Sequence, residues 1–508
     1  MLIASSRTAG PASRQLIAAS SAPHGPRLVG VVLTDAPSGP LEISAPVIGT
    51  LADLANITRS VRLDRIVICL PIALTEVITR ARRAAEALDI PAVFMPTPDD
   101  VLRGACGSLV GSSVSPTAED LAFLVGRAPR PIDRSLVEKV ITAKRVLITG
   151  AGGSIGTELV RLAASFDPAE LVLMDRSDNA LFEIDRQITA QFPHIRRRVV
   201  LNDVADAEGT LRTLMRLRPQ VVFHAAAHKH VPLMEDHPAA AVVNNFFGTR
   251  SVADAALAVE AERFVMISTD KAVNPTSVMG ATKRLAEIYI RSLNHHRSTR
   301  FSLVRFGNVL GSACSVLPIW SKQVAEGGPI TITHRDMTRF FMTIPEAAAL
   351  VVQSAAVGDA HSRRDPDVFV LDMGDPVRIV DLARRFLQTL GLRPDLGDGS
   401  PIGAGPSIPV RFTGARPGEK LYEELAYESE SLTETAVPGV LAWKGPTPSP
   451  EEVGTMVTDL SRVRSSPDPE AILAVLRTHV PELGTNGAAP TVRIMPATTQ
   501  TNVETSAA

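Results

Sequence analysis

The chain has 508 residues, with 52 basic and 54 acidic side chains, a formal net charge of −2 and 45% hydrophobic residues. This length allows two or three domains, and the balanced charge gives no overall field that would hold nucleic acid or an anionic membrane. Cys69, Cys106 and Cys314 stand far apart without metal or redox spacing, which argues against disulfides and for a reducing compartment. The longest apolar runs fall short of the roughly 18–20 residues of a membrane helix, and no signal peptide is recognisable. We therefore expect a cytoplasmic protein without a membrane span.

Residues 1–113 alternate short apolar runs with helical patterns. The apolar runs include LVGVVL (28–33), DRIVICLP (64–71) and PAVFMP (91–96), and EVITRARRAAEALDI (76–90) has helical periodicity. This rhythm predicts a small parallel α/β domain. Its first turn contains only Gly10, whereas a backbone that approaches a pyrophosphate closely needs several glycines. We predict a degenerate Rossmann-like accessory domain with a structural or regulatory role.

A second α/β series follows a segment rich in Pro and Arg. We assign residues 114–143 to a linker and helix, 144–484 to the second domain, and the small, polar stretch 485–508 to a disordered tail. The predicted strands of the second domain are RVLITG (145–150), LVLMD (171–175), RVVL (198–201), VVFHA (221–225), RFVMIS (263–268) and FSLVRF (301–306). Apolar strands without alternation, separated by helices, predict a doubly wound parallel sheet covered on both faces. The irregular sequence beyond residue 310 predicts a smaller substrate lobe.

The stretch TGAGGSIG follows the first strand of this series and precedes a helical pattern. Its glycines allow a tight turn, and the following helix presents free N–H groups to a phosphate. Asp175, at the end of the next strand, suits the ribose hydroxyls of NAD, whereas Arg176 could accept the 2′-phosphate of NADP, so NAD is favoured and NADP is possible. The predicted cofactor-binding residues are Gly150, Gly153, Ser154, Ile155, Gly156, Asp175, Arg176, Asp203, Val204, Ala225, Ala226, Ala227 and Lys283.

Four histidines lie within HAAAHKHVPLMEDH (224–237), which could indicate a metal site. The HxxxH spacing normally requires a helix, but here it begins at a strand end and runs through small residues. We therefore prefer a cofactor pocket lined by the backbone of Ala225 to Ala227, and we predict no metal.

The stretch STDKAVNPTSVMGATK (268–283) begins at the end of another predicted strand. Residues just beyond the carboxyl ends of strands in a doubly wound sheet face the ligand crevice, so Thr269, Asp270 and Lys271 should point towards the cofactor. A solvated polar loop is the alternative interpretation. In one large group of nucleotide-binding oxidoreductases a Tyr precedes a Lys by four residues. Here Met279 stands four residues before Lys283, and a thioether cannot exchange a proton.

Taken in order, TGAGGSIG, HAAAHKHVPLMED, STDKAVNP, MGATKRLAE, RFGNVLGS, MTRFFMTIPEA and RPGEKLYEEL resemble the nucleotide-sugar 4,6-dehydratases of polysaccharide biosynthesis. These are extended short-chain dehydrogenases that act on UDP-N-acetylglucosamine. The resemblance covers roughly residues 115–430, and the N-terminal domain is similar to the accessory domain of the long members. Long members usually begin with membrane helices, whereas this sequence starts at the first strand of the accessory domain, so we expect a long form without them.

The resemblance implies a role for each residue of the triplet. In long members a Met commonly replaces the Tyr, and proton transfer falls to the Thr-Asp-Lys triplet. Thr269 would then bond the oxygen on sugar carbon 4, Asp270 would protonate the departing 6-hydroxyl, and Lys271 would take the proton from carbon 5. Lys271 needs an accessible neutral form, and we expect burial or the neighbouring Lys283 to lower its pKa. Lys283 would also hold the nicotinamide ribose.

The resemblance further implies a UDP-N-acetylhexosamine substrate. Because no membrane span is predicted, we also expect a homo-oligomer that forms through the α/β domains. The predicted substrate-binding residues are Asn308, Ser315, Arg339, Arg416 and Glu419. Cys314 stands where the family usually has glycine, and its side chain could narrow the sugar pocket. Two alternatives stay open: a UDP-sugar 4-epimerase, which would depend on the missing Tyr, and a non-catalytic dinucleotide-binding regulatory protein.

Overall fold

The computed structural model describes residues 1–20, 27–36, 43–61, 63–70, 74–88, 90, 92–95, 124–126, 129–296, 298–312, 315–358, 366–390, 392–397 and 407–484. The predicted domain boundary at residue 113, the predicted tail at 485–508, Cys106 and Cys314 lie outside the described residues. Within the described residues, two α/β units have separate hydrophobic cores.

The N-terminal unit is a five-stranded parallel sheet with helices. Its elements are β1 (Leu2–Ala4), α1 (Ala9–Ser20), β2 (Val31–Leu33), β3 (Val47–Thr50), α2 (Leu54–Ser60), β4 (Ile66–Cys69), α3 (Thr75–Ala87) and β5 (Ala92–Phe94). The strand order is β3-β2-β1-β4-β5, and every neighbouring pair is parallel. Strands β1 and β2 are fully buried because the apolar core lies on both faces of the sheet.

Among the described residues, the second unit contains sixteen strands, nine of which form one large sheet. Its strands are β6 (Arg145–Thr149), β7 (Glu170–Asp175), β8 (Arg197–Leu201), β9 (Val221–His224), β10 (Arg263–Ile267), β11 (Arg300–Arg305), β12 (Asn308–Leu310), β13 (Ile330–Ile332), β14 (Thr338–Arg339), β15 (Phe341–Thr343), β16 (Val368–Leu371), β17 (Val377–Arg378), β18 (Arg393–Asp395), β19 (Ser407–Phe412), β20 (Thr433–Glu434) and β21 (Val440–Trp443). The sheet order is β20-β21-β16-β11-β10-β9-β6-β7-β8, parallel from β8 to β16 and antiparallel beyond. The strand order reverses between β6 and β9, which is where a doubly wound sheet opens its ligand crevice.

Helices cover both faces of this sheet. They are α4 (Arg134–Ile141), α5 (Ser154–Ala164), α6 (Asp178–Gln191), α7 (Ala207–Leu217), α8 (Val231–Asp236), α9 (Pro238–Ala241), α10 (Gly248–Ala258), α11 (Val278–Ser292), α12 (Val316–Ala325), α13 (Ile344–Ala356), α14 (Ile379–Thr389), α15 (Pro450–Val463) and α16 (Pro469–His479), and a π-helical segment, Val242–Phe247, joins α9 to α10. Apolar residues of α4, α5, α6 and α13 share one core, and those of α7, α10, α11, α15 and α16 share the other. The predicted doubly wound parallel α/β fold is confirmed.

A third hydrophobic cluster forms a smaller lobe beside the sheet. Trp320 of α12 and Phe386 of α14 pack together in it, with ring centroids 5.7 Å apart. Its strands form small sheets, β13-β19-β18, β12-β15 and β14-β17. The predicted smaller lobe is therefore built from only part of the sequence beyond residue 310, because β16, β20 and β21 join the large sheet and α13, α15 and α16 pack in its cores.

Candidate active site

The turn between β6 and α5 admits only glycine at two positions. Gly150 has a φ of +66°, and a Cβ there would lie 2.7 Å from the backbone nitrogen of Ala226. A Cβ on Gly156 would lie 1.9 Å from the carbonyl oxygen of Gly150. The chain therefore turns tightly and leaves backbone surface exposed to a ligand, as pyrophosphate binding requires.

An open cavity of about 500 Å³ lies over this turn. Its lining comprises Gly150, Gly153, Asp175, Arg176, Asn202, Asp203, Val204, Ala225, Ala226, Ala227, His228 and Asn244. Most of the predicted cofactor-binding residues are in this set, whereas Ser154, Ile155, Gly156 and Lys283 are not. Asn202, His228 and Asn244 were not predicted: no short motif marks the two asparagines, and His228 was considered only as part of a metal site.

Asp175 faces the glycine turn. Its two carboxylate oxygens accept N–H groups from Gly152 and Ser177, each at 3.0 Å. The exposed Arg176 lies 3.3 Å from Nε2 of His228 and 3.9 Å from a carboxylate oxygen of Asp203. Burial and the Arg176 charge lower the pKa of His228, which keeps its ring neutral near pH 7. A carboxylate and a cation thus lie side by side in the lining of the cavity.

The π-helical segment supplies amides that support the pocket wall. Asn245 Oδ1 accepts the backbone N–H of His228 at 2.7 Å, and Asn245 Nδ2 donates to the His228 carbonyl at 3.0 Å. π-Helical turns are rare and frequently occur at functional sites. These two hydrogen bonds hold the segment after β9 in place, and its alanines line the cavity.

The histidine cluster does not converge. Thr149 and Thr249 hydroxyls lie 2.8 and 2.9 Å from the two ring nitrogens of the buried His224, and burial followed by the Lys283 charge lowers the pKa of His224 to about 3. The Thr249 hydroxyl donates to Asn245 O, so His224 Nε2 is the donor and Nδ1 accepts from Thr149. Among the residues that the structure describes, no group of three or more His, Cys, Asp or Glu could hold a metal ion.

Thr269, Asp270 and Lys271 follow β10 at the same edge of the sheet. Asp270 Oδ1 accepts the Thr269 hydroxyl at 2.9 Å and the Lys271 ammonium at 3.0 Å. Lys271 Nζ also donates to Asn308 Oδ1 at 3.3 Å. Asp270 is fully buried, and its second oxygen, Oδ2, has no hydrogen-bond partner within the described chain. A buried carboxylate oxygen without a partner is unusual in a folded protein and calls for a specific role, such as a catalytic one.

The expected pKa of Lys271 is wrong for this structure. Burial lowers its pKa, but the Asp270 and Glu423 carboxylates more than offset burial, and the net shift is upward. The lowered lysine is instead Lys283, whose pKa burial brings to about 8 although Glu287 opposes the shift. Lys283 Nζ donates to the Ile267 carbonyl at 2.7 Å, at the end of β10. This structure therefore favours the charged form of Lys271, and the neutral amine that the predicted role requires has to arise in another way.

Met279 lies in the first turn of α11 with 3% of its surface exposed. It belongs to the core that α11 shares with α10 and the C-terminal helices. The position of the missing Tyr is thus filled by an apolar side chain that packs and cannot carry a proton.

The predicted substrate residues are dispersed around this edge. Asn308 contacts Lys271, and Ser315, at the N-terminus of α12, has a buried hydroxyl without a hydrogen-bond partner in the described part of the chain. Arg416 is exposed, and its backbone N–H donates to Glu419 at 3.3 Å. Arg339 is buried and donates to the carbonyls of Lys420 and Leu421 at 2.7 and 3.1 Å. Arg339 thus secures the 420–421 backbone, and its predicted contact with a diphosphate stays a prediction.

A buried network of charged side chains packs against the end of β10, next to Thr269. Arg305 donates to Glu287 at 2.7 and 2.8 Å and to Glu430 at 2.6 Å, and all three side chains are at most 2% exposed. Ser268, immediately before Thr269, donates to Glu287 at 2.6 Å. The carboxylates hold the pKa of Arg305 above its ordinary value despite burial. The network ties β10, β11, α11 and the 427–430 loop together, so the position of Thr269 depends on all four.

Residues 146–444 match the polysaccharide biosynthesis protein family. The chain belongs to this family. The matched range contains the glycine turn, Asp270, Lys271 and the smaller lobe, and it leaves out the N-terminal unit. No helix within the described ranges is both long and apolar enough to cross a membrane.

Curated relatives fall into more than one class. The chain is 41% identical over 384 residues to the capsular polysaccharide biosynthesis protein CapD of Staphylococcus aureus, covering 75% of this chain and 61% of CapD. It therefore spans less than two thirds of that relative. It is also 29% identical to a UDP-N-acetylglucosamine 4,6-dehydratase (inverting) of Campylobacter jejuni, covering 57% of this chain and 79% of the relative. A UDP-glucose 4-epimerase of Rickettsia canadensis is 31% identical, with 56% and 77% covered.

The fold has a solved counterpart in the X-ray structure of Pen from Bacillus thuringiensis. The two chains are 30% identical with a TM-score of 0.53, and the match covers 60% of this chain and 90% of Pen. This likeness agrees with the doubly wound sheet described above.

Proposed function

We propose that the chain is a 4,6-dehydratase that converts UDP-N-acetylglucosamine, or a related UDP-N-acetylhexosamine, to the 4-keto-6-deoxy sugar. One observation carries the proposal: an acid–base pair, the buried Asp270 and the partly exposed Lys271, joined at 3.0 Å, follows β10 at the edge of the sheet where the cavity lies. Elimination of water needs an acid and a base, and this pair supplies both. The family membership and the dehydratase relative support the same class of substrate.

The glycine turn fits a nicotinamide dinucleotide, because Gly150 and Gly156 leave space that a Cβ would fill. When bound, the dinucleotide would accept hydride from sugar carbon 4 and return it to carbon 6. Gly150 and Gly153 would cradle its pyrophosphate, and Asp175 would bind the ribose hydroxyls, which favours NAD over NADP. Lys283, whose pKa is near 8, would hold the second ribose close to β10.

The proton chemistry follows from the Asp270–Lys271 hydrogen bond. The Asp270 carboxylate favours the charged form of Lys271. A substrate that covers the site would exclude water, and burial favours neutral forms, so a proton can pass from Lys271 to Asp270. Asp270 is then an acid for the departing 6-hydroxyl, and Lys271 is a free amine that can take the proton from carbon 5. Thr269, bonded to Asp270, would orient the oxygen on carbon 4, whose hydroxyl proton would be released to solvent as the hydride leaves. Lys271 would return a proton to carbon 5 when the hydride reaches carbon 6, and a proton from solvent would restore the charged pair.

The substrate would lie between the cavity and the smaller lobe. Asn308 and Ser315 would provide an amide and a hydroxyl for the hexosamine, and Arg416 is an exposed cation for the diphosphate. Glu419, which bonds the Arg416 backbone, would shape that loop. The enzyme is proposed to work as a homo-oligomer in polysaccharide or glycan synthesis.

The test is to identify the product formed from UDP-N-acetylglucosamine and from UDP-N-acetylgalactosamine. Mass spectrometry should show loss of one water, and NMR should show a 4-ketone with a 6-methyl group. A product of unchanged mass with inverted carbon 4 would establish the epimerase alternative, for which a relative exists although Met279 leaves no tyrosine. Bound dinucleotide without turnover of either sugar would favour the regulatory alternative.

A further inference from the structure

Glu423 is a buried carboxylate beside Asp270 and Lys271, and the sequence motifs predicted no role for it. Its side chain is 3% exposed, and its Oε1 lies 3.7 Å from both Lys271 Nζ and Arg339 Nη2. Its Oε2 has no hydrogen-bond partner among the residues described. Burying a carboxylate costs free energy unless cations and hydrogen bonds stabilise it. Two cations at 3.7 Å provide this stabilisation for Glu423. A structural carboxylate is normally better satisfied, as Glu287 is.

The loop that carries Glu423 is fixed to the segment after Lys271. Arg339 donates to the carbonyls of Lys420 and Leu421. Lys420 Nζ donates in turn to the Val273 carbonyl at 3.0 Å, and the Thr276 hydroxyl donates to the Gly418 carbonyl at 3.2 Å. The backbone that leads to Glu423 is therefore fixed by contacts at residues 418, 420 and 421, which hold its side chain beside Lys271.

Four charged groups surround Glu423: Lys271 and Asp270 after β10, Arg339 of β14, and Lys420 of its own loop. Burial raises the pKa of Glu423, with Asp270 adding to the rise and the three cations opposing it. Asp270 and Glu423 in turn both raise the pKa of Lys271 and so favour its charged form. An opposite charge within about 4–6 Å typically shifts a pKa by about 1–3 units.

We propose that Glu423 is a positioning residue that holds the Lys271 ammonium between two buried carboxylates and so sets how readily Lys271 releases its proton. As a role in catalysis this rests on the proposed dehydratase function. As a statement about Lys271 it stands on the geometry alone.

The experiment measures how fast Lys271 is acetylated by acetic anhydride in the full chain, with peptide mass spectrometry as the readout. Only the neutral amine reacts, and the Lys271 side chain is 23% exposed. Glu423→Gln removes the charge and keeps the shape. At a pH well below the pKa, Lys271 in this variant should react at least about threefold faster, because a fall of about 1–3 pKa units raises the neutral fraction far more than it weakens the nucleophile.

Two controls separate charge from reagent access. Glu423→Asp loosens the packing but retains the charge, so its Lys271 should react at close to the wild-type rate. Glu428→Gln makes the same chemical change at an exposed position on the same loop and should leave the rate unchanged. If Glu423→Gln does not fold, Glu423→Met, of similar length and also uncharged, should show the same acceleration over Glu423→Asp.

Acetylation of Lys271 in the uncharged variant no faster than in wild type, or equally fast in Glu423→Asp and Glu423→Gln, would overturn the inference. Absence of sugar turnover in the wild-type protein would instead overturn the proposed function and leave the acetylation result intact. If turnover is present, the pH at which kcat/KM rises should move down in Glu423→Gln, whereas a purely structural residue would lower the whole profile without moving it.

Discussion

The N-terminal and the second unit share a strand order but differ in the turn that follows their first strand. The order β3-β2-β1-β4-β5 of the first unit is repeated as β8-β7-β6-β9-β10 in the second. In both, a carboxylate at the end of the second strand accepts an N–H from the loop after the first strand. Asp35 accepts from Ser6 at 2.7 Å, and Asp175 accepts from Gly152 at 3.0 Å.

The difference lies in the side chains of the turn. In the N-terminal loop the Ser5 and Thr8 hydroxyls are 3.0 Å apart, Thr8 donates to the Cys69 carbonyl at 2.7 Å, and the Ser6 hydroxyl occupies the second oxygen of Asp35 at 2.6 Å. These groups satisfy one another. The corresponding turn of the second unit is made of glycines and opens into the cavity. The fold therefore provides the place for a ligand, and the residue types in the turn decide whether a ligand can enter.

The largest effect is expected from closing the glycine turn. Gly156→Ala would bring a Cβ within 1.9 Å of the Gly150 carbonyl oxygen, and backbone cannot yield as a flexible side chain would. We expect the purified variant to lose its bound dinucleotide, measured by mass spectrometry of the supernatant after denaturation. Gly454→Ala, where a Cβ meets nothing within 4 Å, should retain the wild-type content. A Gly156→Ala protein that still carries dinucleotide would remove the distinction between the two turns.

The two units also differ after the last strand of their shared order, which is β5 in the first and β10 in the second. In the sequence, β5 is followed by MPTP (95–98), whereas β10 is followed by STDK (268–271), which contains the acid–base pair. Asp270→Asn and Lys271→Ala should each lower turnover by about 100-fold or more, the usual contribution of a general acid or base. Met279→Leu should keep much of the activity, because it preserves buried volume. Steady-state kinetics on the three variants measure this, and full activity in both acid–base variants would contradict the assignment.

A smaller effect is expected from the two strand-end carboxylates. Asp175→Asn should weaken NAD binding by about 10-fold or more, because a charge-assisted hydrogen bond to a ribose hydroxyl is worth about 1.5–3 kcal/mol. Asp35→Asn should leave NAD binding unchanged, since the bonds of Asp35 are made to its own loop. Calorimetric titration of the dinucleotide-free proteins compares them. Equal weakening by both substitutions would show that the N-terminal unit also takes part in dinucleotide binding.

Much of this arrangement could be predicted from the sequence because its signals are local. Unbroken apolar strands separated by helical patterns indicated the parallel sheet, and β6 to β11 lie within one or two residues of their predicted bounds. The glycine spacing and Asp175 indicated the cavity. β3 was not predicted, because its sequence VIGT is short and partly exposed.

What the sequence could not give depends on distant residues. Glu423 reaches Lys271 only because the 418–424 loop packs on the segment after β10, and YEEL has no spacing that reveals this. The pKa of Lys271 was predicted in the wrong direction for the same reason, since the sequence could not place a second carboxylate beside it. Asn245 acts through a π-helical segment that no periodicity marks.

The most direct test of the dehydratase assignment is the position of deuterium in product formed in deuterium oxide. If Lys271 exchanges its proton with water and the hydride returns from the cofactor, one deuterium should appear at carbon 5 and little at carbon 6, as read by proton NMR. The internal control is unreacted substrate, which should remain unlabelled at both carbons. Deuterium at carbon 6 without carbon 5, or a 4-epimer free of deuterium at carbon 5 as the sole product, would contradict the account.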